Sequence, residues 1–128
     1  MSIAILLVED NPQHQYLLKL LLQHANYVVE TATSGWEAIE KMQTHPPDLV
    51  LMDFQLPGVN GYETAKLIKE QPALCDIPIV AVSAHVMPGD KAQALAAGCV
   101  GFIEKPFNPD TIVAEMAQYL PGGNGCES

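Results

Sequence analysis

The chain has 128 residues, 48% hydrophobic and 16% charged, the composition of one folded domain with a sizeable core. Its 15 acidic residues against 6 basic ones leave a net charge of −9, which argues against nucleic acid or an anionic membrane as partner, since both need a basic surface. No apolar run reaches the length of a membrane span, and no basic region precedes an apolar core at the N-terminus, so the chain reads as cytoplasmic.

Ile3 to Val8 is apolar throughout and reads as a strand that ends on Glu9-Asp10. Asn11-Pro12 has the form of a helix N-cap with proline in the first helical position. Leu17, Leu18, Leu20, Leu21 and Leu22 then give that helix a wide apolar face. Tyr27 to Ala32 is a second strand, and Ser34-Gly-Trp-Glu37 is a capping box that opens a second helix, closed by Pro46-Pro47. Leu49-Val50-Leu51-Met52 is too continuous for a strand with one wet face and suits a strand buried on both sides. It stops on Asp53, before a turn rich in Pro57, Gly58, Asn60 and Gly61.

A third helix is predicted from Tyr62 to Glu70, stopped by Pro72. Ile79 to Val82 is the fourth strand and ends on Ser83. Pro88-Gly89-Asp90 introduces an alanine-rich helix closing at Gly98, a natural left-handed C-terminal residue. Val100 to Glu104 is a short fifth strand, ending on Lys105-Pro106. Asn108-Pro109-Asp110 repeats the Asn-Pro start, and Ile112, Val113, Met116, Ala117 and Leu120 mark one helical stripe. Residues 1–120 thus form one domain, with 121–128 a flexible C-terminal tail. Cys75, Cys99 and Cys126 lack metal-ligand spacing and read as reduced thiols. His14, His24 and His45 read as surface residues of the first two helices, and Trp36 as a helix-surface or partly buried aromatic.

Five strands alternating with five helices predict an α/β fold, a (βα)5 doubly wound five-stranded parallel sheet with helices on both faces. The carboxyl ends of such strands share one edge, where chemistry collects. Glu9-Asp10, Asp53, Ser83 and Lys105 all fall there. Singly, each has a plainer reading: Asp10 or Asp53 as a turn residue, Ser83 as uninformative, Lys105 as a solvated surface lysine. Their conjunction at four strand ends is what carries weight. Three carboxylates brought together repel unless a cation neutralises them, and hard oxygen ligands suit Mg²⁺. A carboxylate is also a nucleophile toward phosphorus, while a hydroxyl and an ammonium would hold the transferred group.

These residues, in the motifs VEDN, LMDFQLPGVNG, VSAH and IEKPF, resemble the receiver domains of two-component response regulators, the family of the chemotaxis regulator. The resemblance spans residues 3 to 120 and implies a flavodoxin-like sheet of strand order 2-1-3-4-5. It implies Asp53 as phosphoacceptor and a Mg²⁺ cofactor held by Asp10, Asp53 and the backbone carbonyl of Gln55, with Glu9 acting through water. Ser83 would hydrogen-bond the phosphoryl group and Lys105 would pair with it. Ser83 and Phe102 would form the switch, and Lys105-Pro106 would be a cis bond. Glu9, Ser83 and Leu56 stand where the family more often has Asp, Thr and Met, and Phe102 lacks a tyrosine's hydroxyl. Gln55 and His85 occupy variable positions beside the site.

The implied partners are a sensor histidine kinase or phosphotransfer protein and a downstream protein target, the latter bound through the fourth helix, fifth strand and fifth helix. With almost nothing after Leu120, output is expected through protein contacts, as in single-domain regulators that are switches and not enzymes. The Ser83–Asp90 and Ala96–Cys99 segments resemble the cell-cycle type and the receivers of hybrid kinases. The initial Met and strand-first start favour a standalone protein over a hybrid-kinase fragment. Two other classes compete. A haloacid-dehalogenase-type phosphatase needs a second Asp two residues after the first, where this chain has Gln55. A phosphorylation-independent pseudo-receiver usually lacks an acid or the lysine, and this chain keeps them all.

Overall fold

The computed structural model describes residues 3–53, 61–83, 89–104 and 111–119. Strands and helices alternate through β1 (Ala4–Val8), α1 (Pro12–His24), β2 (Val28–Ala32), α2 (Gly35–Thr44), β3 (Leu49–Asp53), α3 (Gly61–Lys69), β4 (Ile79–Ser83), α4 (Asp90–Ala96), β5 (Gly101–Glu104) and α5 (Ile112–Ala117). The five strands form one parallel sheet in the order β2-β1-β3-β4-β5. Both the doubly wound architecture and the 2-1-3-4-5 order match expectation.

The continuous apolar strands bury both their faces, and alternate residues feed two cores. Leu6, Val8, Val50, Met52, Ile79 and Ala81 pack with Ala38, Ile39 and Met42 of α2, Ala65 and Ile68 of α3, and Ala94 of α4. Ile5, Leu7, Leu49, Leu51, Val80 and Val82 pack on the other face with Leu18 and Leu22 of α1 and Ile112 and Met116 of α5. Every residue of β3 and β4 is buried, whereas β2, at the edge, is largely solvated and buries only Ala32.

Local signals hold at the helix starts. Asn11 Oδ1 accepts from the backbone N–H groups of Gln13 (2.9 Å) and His14 (3.2 Å), with Pro12 in the first turn. Ser34 Oγ accepts from Glu37 N at 3.2 Å, but Glu37 does not close the box on Ser34. Its carboxylate accepts instead from the N–H and hydroxyl of Thr33, at 2.8 and 2.9 Å, one residue earlier. Gly98 closes α4 at φ +106°, as expected. The wide apolar face of α1 is narrower than its five leucines suggest: Leu18 and Leu22 are buried, while Leu17 and Leu20 remain 40% and 45% exposed. Cys99 is a free, buried thiol, as expected, and Cys75 is half-buried in the turn before β4. Among the described residues no helix is long and apolar enough to cross a membrane. Leu120 and the segment 121–128 lie outside the described residues.

Candidate functional site

Parallel pairing fixes which side chains meet at the carboxyl edge. The register pairs Val8 with Met52, Asp53 with Val82 and Ser83 with Glu104. Asp53 therefore lies one step past the last β1–β3 pair, beside Glu9, and Ser83 lies one step past the Asp53–Val82 pair. Burying polar groups is costly unless they are paired or neutralised. Among the described residues the buried polar side chains are Glu9, Asp53, Thr64 and Ser83, so three of the four gather at this edge.

Glu9 is 2% exposed and Asp53 5%, while Asp10 stands open to solvent. Each offers a carboxylate oxygen, and these oxygens all lie within 4.8 Å of one another. At such a separation two full charges repel by about 3 kcal/mol for an effective dielectric of ~20. A divalent cation among them would offset that repulsion. The donor set is all carboxylate, with neither sulfur nor nitrogen, which fits Mg²⁺ better than a softer metal.

The corner that presents these acids is tightly stitched. Glu9 N donates to Ala32 O at 2.9 Å, extending the β1–β2 ladder by one residue. The longer side chain of Glu9 folds back so that Oε2 accepts from Asn11 N at 3.1 Å, leaving Oε1 facing His14 Nδ1 at 3.9 Å. Gln15 Nε2 donates to the Glu9 backbone carbonyl at 3.0 Å. Reading the sequence did not single out Gln15; only its place one turn into α1 hints at the reach.

Phe102 is half-buried against the core formed with α2, α3 and α4. It pairs with Ala81, two residues before Ser83 on the same face of β4, so Phe102 and Ser83 are diagonal neighbours across the ladder. The structure thus brings together Glu9, Asp10 and Asp53, with Ser83 at the adjoining strand end and Phe102 diagonal to it. Gln55, Leu56, His85, Lys105 and Pro106 lie outside the described residues.

A five-stranded sheet of this order, with an acid cluster at the switch point between β1 and β3 that could hold a metal ion, defines a flavodoxin-like α/β domain. Residues 5–117 match the response regulator receiver domain family, and the chain belongs to that family, which acts in two-component signal transduction. It is 36% identical over 120 residues to the polar-differentiation response regulator DivK of Brucella ovis, covering 94% of this chain and 98% of that protein. Among solved structures it is similar to the chemotaxis response regulator CheY4 of Vibrio cholerae, with a TM-score of 0.88 at 31% identity, covering 94% of this chain and 100% of that one. It is also similar to the receiver domain of a sensor histidine kinase from Pseudomonas aeruginosa, whose structure has a magnesium ion coordinated in the active site cleft. That likeness has a TM-score of 0.85 at 30% identity and covers 93% of this chain and 98% of the other.

Proposed function

We propose that this receiver takes a phosphoryl group on Asp53 from the phosphohistidine of a sensor histidine kinase or phosphotransfer protein. The observation that carries the reading is the convergence of Glu9, Asp10 and Asp53 oxygens within 4.8 Å at the strand edge, with Ser83 at the next strand end. Asp10, Asp53 and the Gln55 carbonyl would hold Mg²⁺, with Glu9 contributing through water. When bound, the ion neutralises the carboxylates and the phosphoryl oxygens that approach them.

An Asp53 oxygen attacks phosphorus in line. A P–O bond forms, the P–N bond to the donor imidazole breaks, and its electron pair returns to the ring. The Ser83 hydroxyl donates to one phosphoryl oxygen and Lys105 pairs with another. The added charge biases a pre-existing equilibrium in which Ser83 and Phe102 shift together. The surface of α4, β5 and α5 then exchanges protein partners. In this reading the domain, residues 1–120 with a tail at 121–128, is a cytoplasmic switch and not an enzyme acting on other molecules. It contacts neither nucleic acid nor membrane. The receiver of a sensor histidine kinase is also among the similar solved structures, and the same mechanism serves either setting.

Intact-protein mass after incubation with a small phosphodonor tests the proposal. A Mg²⁺-dependent gain of one phosphoryl group, absent from Asp53→Asn, is expected. No gain in folded protein would sink it and favour a phosphorylation-independent module.

A further inference from the structure

We infer that Gln15 is a positioning residue for the metal, acting through the peptide that joins Glu9 to Asp10. The inference rests on the Mg²⁺ reading above. Consecutive acids at the end of a strand share one peptide plane. The orientation of that plane, set by ψ of Glu9 and φ of Asp10, decides whether both carboxylates reach the same point. Glu9 N is held in the ladder by Ala32 O. Glu9 Oε2 is held by Asn11 N. The carbonyl between the two acids is a further handle, and the amide of Gln15 takes it at 3.0 Å.

Gln15 is itself well anchored. Its own N–H donates to Asn11 O at 2.9 Å in the first turn of α1, which Asn11 caps and Pro12 opens. The side chain therefore projects from a rigid turn back across the corner it stabilises. Groups that orient metal ligands in this way commonly change affinity by tenfold or more when removed.

The test is Mg²⁺ titration by calorimetry on the full chain. Gln15→Met keeps the length and loses the donor, and Gln15→Ala removes both. Gly98→Ala, straining a left-handed turn at the opposite end of the sheet, controls for lost stability alone. Both Gln15 variants should weaken Mg²⁺ binding about tenfold, with Gly98→Ala near wild type at comparable loss of melting temperature. In Gln15→Met the carbonyl ¹³C resonance of Glu9 should also move in the metal-free protein. Wild-type affinity in Gln15→Met, or a loss no larger than that of Gly98→Ala, overturns the inference while leaving the metal site intact. Wild-type protein that takes up no Mg²⁺ overturns the metal site, and this inference with it.

Discussion

Gly35 and Thr64 are where α2 and α3 touch: a Cβ on Gly35 would stand 2.2 Å from Thr64 Oγ1. Thr64 is fully buried, so its hydroxyl has no open space to retreat into. Gly35→Ala should destabilise the fold by about 1–3 kcal/mol, the usual cost of overpacking. Thr64→Ala in the same chain should recover part of that loss. Urea denaturation followed by circular dichroism, run as a double-mutant cycle, measures the coupling. Additive effects would mean that the two helices can part without cost.

The cap on α1 is a second, independent contribution. Asn11→Ala removes the acceptor for two backbone N–H groups and should cost about 1 kcal/mol. Asn11→Asp, which keeps an acceptor, should retain most of that stability in the same denaturation experiment. Equal losses in both variants would show that the side-chain acceptor is not what matters.

Cys99 gives a pH dependence. Burial pushes its thiol up to about 12 from an ordinary 9.0, against the opposing pull of Lys69. The folded chain therefore keeps this proton after the unfolded chain has released it. The associated stability is complete below about pH 9 and is lost as pH rises toward 12. Lys69 works in the opposite direction. Burial lowers its pKa, so the unfolded lysine keeps its proton longer and stability increases as pH approaches 10.5. Melting temperatures from pH 8 upward should fall less steeply in Cys99→Ala than in wild type. Peptide mapping after alkylation at neutral pH should find Cys99 protected in native protein and modified in urea.

Metal binding should appear as stability. With Mg²⁺ at about one hundred times its dissociation constant, the folded state gains ~2.7 kcal/mol by mass action. Melting curves at constant ionic strength should show this gain in wild type and its loss in Asp10→Asn. An equal rise in both would point to a salt effect with no site behind it.

Much of this molecule was legible because its strands are apolar runs that stop on polar residues. Glu9, Asp10, Asp53 and Ser83 could be placed on one edge before any geometry was known. The strand order was not legible in that way. No residue pattern says which strands become neighbours, and the order came from resemblance. The leucines of α1 misled for a different reason. A helix laid on one face of a sheet needs only a narrow buried ridge, which Leu18 and Leu22 supply, so Leu17 and Leu20 stay exposed. Asn26, at φ +73° just past α1, escaped notice because an asparagine in the left-handed region looks like any polar loop residue. Gln15 escaped because its bond to Glu9 O spans six residues across a corner, a spacing with no periodic signature.

The full burial of β3 has a consequence for alignment of the chain. In a strand with one wet face, sliding by one residue throws the apolar side chains into water, and that penalty locks the pairing. Leu49 to Met52 would pay no such penalty, since both of their faces meet core. Asp53 supplies the missing lock. Drawing it one step inward would carry a carboxylate away from the acid cluster and into hydrocarbon, and pushing it outward would pull an apolar residue into its place. The acid that marks the reactive edge also acts as the index mark that tells β3 where to stop.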